Sequence, residues 1–224
     1  MSRLLFVVGP TATGKTAVAV EIAEQIDAEI ISADSVQFYR ELKIGSARPS
    51  DEELARVKHH LVGHISIVQE YTAGDFARDA MAILEAHPEK NFLVVGGSGF
   101  YIQALEKGMY PTHRASEAVQ EKIEDRVDSM GLDAVYRELA SRDSETAKKI
   151  APQDRYRIVR ALEILESLPG EQTLSQMKSE FKQAAKNRFP GREVETIGLR
   201  LERDRLEPRV RSRAERMLSQ GLVQ

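Results

Sequence analysis

Apolar residues follow two rhythms along this chain. In the first hundred residues, short unbroken apolar runs alternate with stretches in which apolar positions recur every three or four residues. Residues 4–8, Leu-Leu-Phe-Val-Val, stop at Gly9-Pro10, as expected of a strand buried on both faces of a parallel sheet. Residues 15–26 place Val18, Ile22, Ala23 and Ile26 on one helical face. Residues 29–32, Glu-Ile-Ile-Ser, read as a second strand, and residues 61–68 as a weaker third. Thr72-Ala-Gly-Asp75 fits a capping box, in which each side chain accepts a bond from a free amide of the first turn. The helix it starts turns Phe76, Ala80, Ile83 and Leu84 inward and stops near His87-Pro88. Residues 92–95, Phe-Leu-Val-Val, form a strand that runs directly into Gly96-Gly97-Ser98-Gly99. Strands separated by helices of this length imply a parallel sheet with right-handed crossovers.

The second rhythm begins near Pro111. Residues 115–185 carry little strand signal and are dominated by Glu, Lys, Arg, Ala and Leu. Ile123, Val127 and Met130 mark one amphipathic helix, residues 132–139 another and residues 156–165 a third. Met81, Met130 and Met217 sit at helical core spacing and read as packing residues. After Pro190-Gly191, residues 194–201 alternate enough to be a returning strand. Asp204 with Glu207 is placed to cap a last helix that ends near Gly221. The expected organisation is an α/β core over residues 1–113 and 191–224, with a helical insertion over residues 114–190.

Composition narrows the class. With 224 residues, 42% hydrophobic and 30% charged, the chain belongs with ordinary globular proteins. Zero cysteines exclude a disulfide framework, a thiolate zinc site and a cysteine nucleophile. No apolar run approaches the roughly 20 residues of a membrane span, and the start lacks the apolar core and cleavage site of a signal peptide. A cytosolic protein with no membrane partner is expected, and a monomer. The net charge of −3 hides two basic stretches: eleven Lys or Arg against six acids over residues 182–216, and five against one over residues 148–160. Such stretches suit a phosphate-bearing partner or plain solvated helix faces.

The strongest chemical signal is Gly9-Pro-Thr-Ala-Thr-Gly-Lys-Thr16, which satisfies G-x-x-x-x-G-K-[ST] between an apolar strand and an amphipathic helix. Gly9, Thr11, Ala12, Thr13 and Gly14 belong to a loop whose backbone amides curl around phosphate oxygens at a helix N-terminus. Lys15 reaches the outer phosphates, and the Thr16 hydroxyl is placed for Mg²⁺. The fold implied is a P-loop NTPase-like parallel sheet flanked by helices. Most such loops hold ATP or GTP, so nucleotide binding by a small-molecule or nucleotide kinase is the default reading. Such an enzyme usually has a further acid at a strand end, yet residues 92–95 run into glycines. The carboxylate that does follow a buried strand is Asp34. At the carboxyl edge of a parallel sheet it falls in the ligand crevice, where it is a metal ligand, a general base or a helix cap.

Further motifs occur in order: Ile31-Ser-Ala-Asp-Ser-Val-Gln-Phe-Tyr39, Ile44-Gly-Ser-Ala-Arg-Pro49, His59-His60-Leu61 and Val95-Gly-Gly-Ser-Gly-Phe-Tyr101. Asp154-Arg-Tyr-Arg-Ile-Val-Arg-Ala-Leu-Glu163 and Leu206-Glu-Pro-Arg-Val-Arg-Ser-Arg-Ala-Glu-Arg-Met-Leu218 follow. With the phosphate loop, this series resembles the tRNA dimethylallyltransferase (tRNA isopentenyltransferase) family over essentially the whole chain. The resemblance implies transfer of a dimethylallyl group from dimethylallyl diphosphate to the exocyclic amine of the adenosine beside the anticodon. The phosphate loop would then hold a prenyl diphosphate, which accounts for the missing second acid. Asp34 would be the general base, a role worth roughly 10²–10⁴ in rate. Lys15, Thr16 with Mg²⁺, and Arg213 would hold the departing diphosphate. Ser98 stands where the family usually has threonine and keeps its hydroxyl.

The resemblance also implies a tRNA partner, met at the anticodon stem-loop, whose adenosine must leave the stack to reach the base. Asp34, Ser35, Val36 and Gln37, together with Ser98, match segments that contact tRNA in the family. So do Gln120, Tyr156, Arg157, Ile158, Val159 and Arg160. Two of these depart from the family pattern: Tyr156 replaces a usual glutamine and Gln120 a usual arginine. Tyrosine offers a stacking face instead of an amide. Family members continue past residue 224 through further helices and a Gly-Tyr motif, so a shortened form is implied. It would be of bacterial type, because the zinc finger of animal and fungal forms needs cysteine. An RNA-binding form without turnover is the third reading. His59, His60 and His64 read as packing or hydrogen-bonding residues, Gly45 and Pro49 as turn-shaping ones. Tyr39 and Tyr101 line either the prenyl tunnel or the core.

Overall fold

The computed structural model describes residues 1–109, 115–168, 170, 172–184 and 188–223. Pro111 and the expected boundary at residues 113 and 114 lie outside them. The chain divides into two compact units, one of Met1–Gly108 with Asn187–Gln224 and one of Met109–Lys186.

The first unit is built on β1 (Ser2–Val8), α1 (Lys15–Gln25), β2 (Ala28–Ser32), α2 (Asp51–Arg56), β3 (His59–His60), α3 (Ala73–Ala86), β4 (Asn91–Gly96) and α4 (Gly99–Lys107). The second holds α5 (Glu117–Met130), α6 (Leu132–Arg142), α7 (Ser144–Ala147), α8 (Arg155–Ser167) and α9 (Leu174–Ala184). The chain then returns to the first with β5 (Arg192–Gly198) and α10 (Arg203–Ser219).

The five strands lie parallel in the order β3-β2-β4-β1-β5. Successive residues of a strand face opposite sides, so Leu4 and Phe6 join Phe92, Val94 and the α3 residues Phe76, Ala80 and Leu84. Leu5 and Val7 join Leu93, Val95 and the α1 residues Ala19, Val20 and Ala23 on the other face. The two apolar faces explain why the centres of β1 and β4 read as unbroken apolar runs. The expected P-loop NTPase-like sheet is therefore the observed one. The capping box at Thr72 forms with both reciprocal bonds. Ile83 packs at the margin of the α3 core. Arg192 on β5 donates to the carbonyls of Leu84 and His87 (both 2.7 Å) and Lys90 (2.6 Å), satisfying the end of α3.

Three expectations need correction. The strand expected at residues 61–68 is instead the two-residue β3, paired with Ile30 and Ile31. Leu61 (φ 61°) and Gly63 (φ 57°) then leave the extended region, and only an isolated bridge from Ile65 to Tyr39 follows. Asp204 does not cap α10: the N-cap is Glu202, without a side-chain bond, and Glu207 accepts from Arg203 at 2.6 Å. Met130 is the last residue of α5 and is 60% exposed, because the packed face ends with Val127, one turn earlier.

In the second unit, Ile123, Val135, Leu139, Ile158 and Leu162 form the centre of a separate core. Asp143 ties three helices together. Its buried carboxylate accepts from Thr146 N (3.0 Å), Thr146 Oγ1 (2.8 Å) and Ser175 N (2.8 Å). Burial alone would raise its pKa, but these bonds hold it below the usual range.

Candidate functional site

The site of the first unit is made where β1, β2 and β4 end. After β1 the backbone turns at Gly9, where a Cβ would collide with the Leu199 carbonyl. Ala12 (φ 66°) and Gly14 (φ 90°) take left-handed conformations, and Thr13 donates to Pro10 O at 2.9 Å. Helix α1 begins at Lys15 with no acidic residue in its first turn, leaving its N-terminal partial charge for an anion. Lys15 Nζ donates to Gly9 O (2.8 Å) and Pro10 O (2.7 Å), folding back over the loop. Burial pushes its pKa down, Asp34 nearby pushes it up, and Arg213 pushes it down.

The end of β4 lies against the end of β2: Ala33 N donates to Val95 O at 2.8 Å, and a Cβ at Gly96 would overlap the Ala33 carbonyl. Glycine there lets the two strand ends touch. Asp34 follows at once and no helix begins after it, so it caps none. Val36 N donates to its Oδ1 (3.0 Å) and Gln37 N to its carbonyl (3.2 Å), closing a tight turn. No hydrogen bond from a described residue reaches Asp34 Oδ2. Ser98 supports the same turn from β4, accepting from Ser35 N (3.1 Å) and contacting Ser35 Oγ (3.3 Å).

A cavity of about 270 Å³ opens over this junction, lined by Thr11, Ala12, Gly14, Lys15, Thr16, Asp34, Gln37 and Arg213. Of the residues singled out from sequence for the first unit, Gly9, Thr13, Ser35, Val36 and Ser98 shape the surrounding loops without lining it. The same cavity is walled by Arg48, Glu53 and His59, to which the sequence pattern assigned no chemistry. The only advance signal for Arg48 and His59 was membership of ordered motifs, and Glu53 had none. Arg48 donates to Tyr39 O, and burial pushes its pKa down. His59 Nδ1 donates to Val57 O (2.8 Å), and burial lowers its pKa too. His60 bonds Glu29 at 2.6 Å, and His64 meets Phe38 and Tyr71 edge-on. Tyr101 packs on Phe38 and Phe76 and donates to Tyr71 O at 3.0 Å.

The second unit has its own cavity of about 490 Å³, lined by Lys149, Tyr156, Arg157, Arg160, Ser175 and Lys178 among others. Tyr156 is 79% exposed. Arg157 pairs with Asp154 (2.9 Å) and Arg160 with Glu163 (2.8 Å), each on the same helix. Ile158 and Val159 point the other way, into the core, because a helix turns two of every four positions inward. Gln120 donates to Ala115 O at 3.1 Å.

Among the described residues no group of three or more His, Asp or Glu is arranged to hold a metal ion. No helix among them is long and apolar enough to cross a membrane.

Comparison with known proteins bears on this geometry. Residues 37–224 match the family model described as IPP transferase. The chain is 40% identical to tRNA dimethylallyltransferase 2 of Geotalea uraniireducens, covering 99% of this chain and 70% of that protein. It is also 40% identical to tRNA dimethylallyltransferase of Bdellovibrio bacteriovorus, covering 99% and 71%. Among solved structures, a eukaryotic dimethylallyltransferase acting on tRNA superimposes with a TM-score of 0.82 at 26% identity, over 99% of this chain and 54% of that one. The tRNA isopentenylpyrophosphate transferase of Bacillus halodurans superimposes with a TM-score of 0.61 at 32% identity, over 99% and 68%.

Proposed function

We propose, since the chain belongs to the IPP transferase family of tRNA dimethylallyltransferases, that the cavity at the strand ends carries out prenyl transfer to an adenosine of tRNA. The carrying observation is the pairing, in one cavity, of a phosphate loop with Asp34, a carboxylate directly after β2 whose Oδ2 receives no hydrogen bond from a described residue. A kinase would have a second acid at the end of β4; here that end is Gly96-Gly97 against the Asp34 turn.

The donor is dimethylallyl diphosphate and the acceptor the N6 amine of the adenosine beside the anticodon. The amine nitrogen forms a bond to the allylic carbon as the carbon–oxygen bond breaks. The electron pair leaves with the diphosphate, and the amine proton passes to Asp34 Oδ2. Charge builds on the diphosphate, where the loop amides, Lys15 and Arg213 stabilise it. Lys15 leaves the Gly9 and Pro10 carbonyls for the diphosphate oxygens, and their negative charge favours its protonated form. The hard oxygen of Thr16 fits Mg²⁺, which binds through one or two protein oxygens plus substrate phosphates; there it would neutralise leaving-group charge. Ser98 holds the Asp34 turn from β4. In the second unit, Tyr156, Arg157 and Arg160 supply a stacking face and cations for the anticodon stem-loop, and Gln120 adds an amide.

The deciding experiment incubates the protein with an anticodon stem-loop RNA, Mg²⁺ and dimethylallyl diphosphate, and weighs the RNA intact. A gain of one dimethylallyl group, absent with Asp34→Asn, is expected. ATP consumption with no RNA mass gain would overturn the reading in favour of a kinase. RNA binding without mass gain would leave only the binding function.

A further inference from the structure

Gln37 stands three residues after Asp34 in the segment whose family resemblance implies contact with tRNA, yet its side chain is committed elsewhere. Its Oε1 accepts from Ser32 Oγ at 2.9 Å. Its Nε2 donates to the carbonyls of Ala47 (3.1 Å) and Ser46 (3.4 Å), using both amide hydrogens. Its backbone closes the Asp34 turn, N donating to Asp34 O at 3.2 Å, and its own carbonyl accepts from Gly63 N at 2.8 Å.

These bonds join four pieces of chain that meet nowhere else in sequence: the last residue of β2, the turn bearing Asp34, the 46–49 wall of the cavity and the turn at Gly63. Ser32, Asp34, Gln37 and Ala47 all line the same cavity. Ala47 is held at φ 46°, a conformation that persists only where surroundings impose it, and the Gln37 amide grips its carbonyl. An RNA group seeking the Gln37 amide would have to break one of these bonds and loosen the base it needs.

We infer that Gln37 is a positioning residue for prenyl transfer: it fixes Asp34 against the cavity wall and does not read the RNA. The inference rests on the reading that Asp34 takes the amine proton. Misplacing a reacting group by about 1 Å costs roughly 10²-fold in rate, which sets the size of the effect.

The test uses the full chain with an anticodon stem-loop RNA and dimethylallyl diphosphate. Gln37→Met keeps the side-chain length and removes all three side-chain bonds. Its kcat is expected to fall about 10- to 100-fold, with the RNA dissociation constant, measured by fluorescence anisotropy, within about twofold of the parent. Ser32→Ala removes only the bond to Oε1 and should give a smaller loss of the same kind. Combined with Gln37→Met it should add almost nothing, since both act through one contact. RNA affinity weakened tenfold or more, with kcat intact at saturating RNA, would overturn the inference. So would an unchanged kcat or fully additive losses. If Gln37→Met does not fold, Ser32→Ala alone reads the same split between kcat and affinity. A parent protein that binds RNA but makes no product would sink the Asp34 reading instead, and the affinity comparison would still decide whether Gln37 touches RNA.

Discussion

The two cavities of this chain are held in different ways. That of the first unit opens at the ends of parallel strands, where close backbone contact fixes part of the wall, as at Gly96 against Ala33. That of the second is rimmed by long cationic side chains on helix surfaces. Among the described residues Arg157 and Arg160 there are held by i,i+3 partners, Asp154 and Glu163, and the more exposed pair, Arg157 with Asp154, is worth about 0.3–0.5 kcal/mol. On the proposed function, bond making at a carbon tolerates little misplacement, which suits a site built from rigid strand ends. Gripping a polyanion would need charge that can move to meet phosphates, which suits weakly tethered arginines.

Substitutions should separate the two. The largest effect is expected from Asp34→Asn, which keeps the turn and removes the base: prenyl transfer should slow by about 10²–10⁴, with RNA affinity moving far less, read by single-turnover mass measurement. Next comes Gly96→Ala. Its Cβ would force Ala33 and with it Asp34 to shift, costing about 10²-fold in kcat and about 1–3 kcal/mol of stability by thermal melting. The contrasting control is Gly131→Ala, at φ 80° with open space around it. It should cost about 1–2 kcal/mol and leave prenyl transfer as it was.

A third effect concerns stability and not chemistry. Burial would raise the Glu29 carboxyl, but Lys90, His60 and Lys58 outweigh that and hold its pKa at about 2. A folded pKa below the ordinary 4.5 stabilises the fold above pH 4.5. That stability drains away as the pH falls from 4.5 toward 2. The loss is on the order of 3 kcal/mol, and Glu29→Gln should flatten this part of an acid-unfolding curve. The smallest effect is expected from Arg157→Ala: RNA affinity falling a few-fold, with the slope of log affinity against log salt reduced by about one. A change in kcat larger than the change in affinity would erase the distinction between the cavities.

Much of the first unit was legible in the linear pattern, because β1, β2 and β4 are buried on both faces and α1 and α3 on one. The phosphate loop, the Thr72 capping box and the order of β1, α1, β2, α3 and β4 all follow from local chemistry. What was not legible depended on pairing at a distance. His59 and His60 become a strand because β2 offers them an open edge, a fact no window of residues contains. Met130 has helical spacing but lies past the packed face of α5. Arg48 and His59 enter the cavity of the first unit only because the chain doubles back between residues 40 and 65.

The sequence by itself determined which atoms can do chemistry here: a loop that binds phosphates, one carboxylate after a buried strand, and cations on amphipathic helices. These are properties of residue type and short-range spacing, which survive in any fold that forms the same elements. Tertiary structure alone decided which of them act together. It left Asp34 Oδ2 without a hydrogen bond from any described residue, closed β4 onto β2 at Gly96, turned Ile158 and Val159 away from the surface and spent the Gln37 amide on carbonyls nine and ten residues away. Hydrogen-bond capacity is finite, and only the folded chain shows where each donor has already gone.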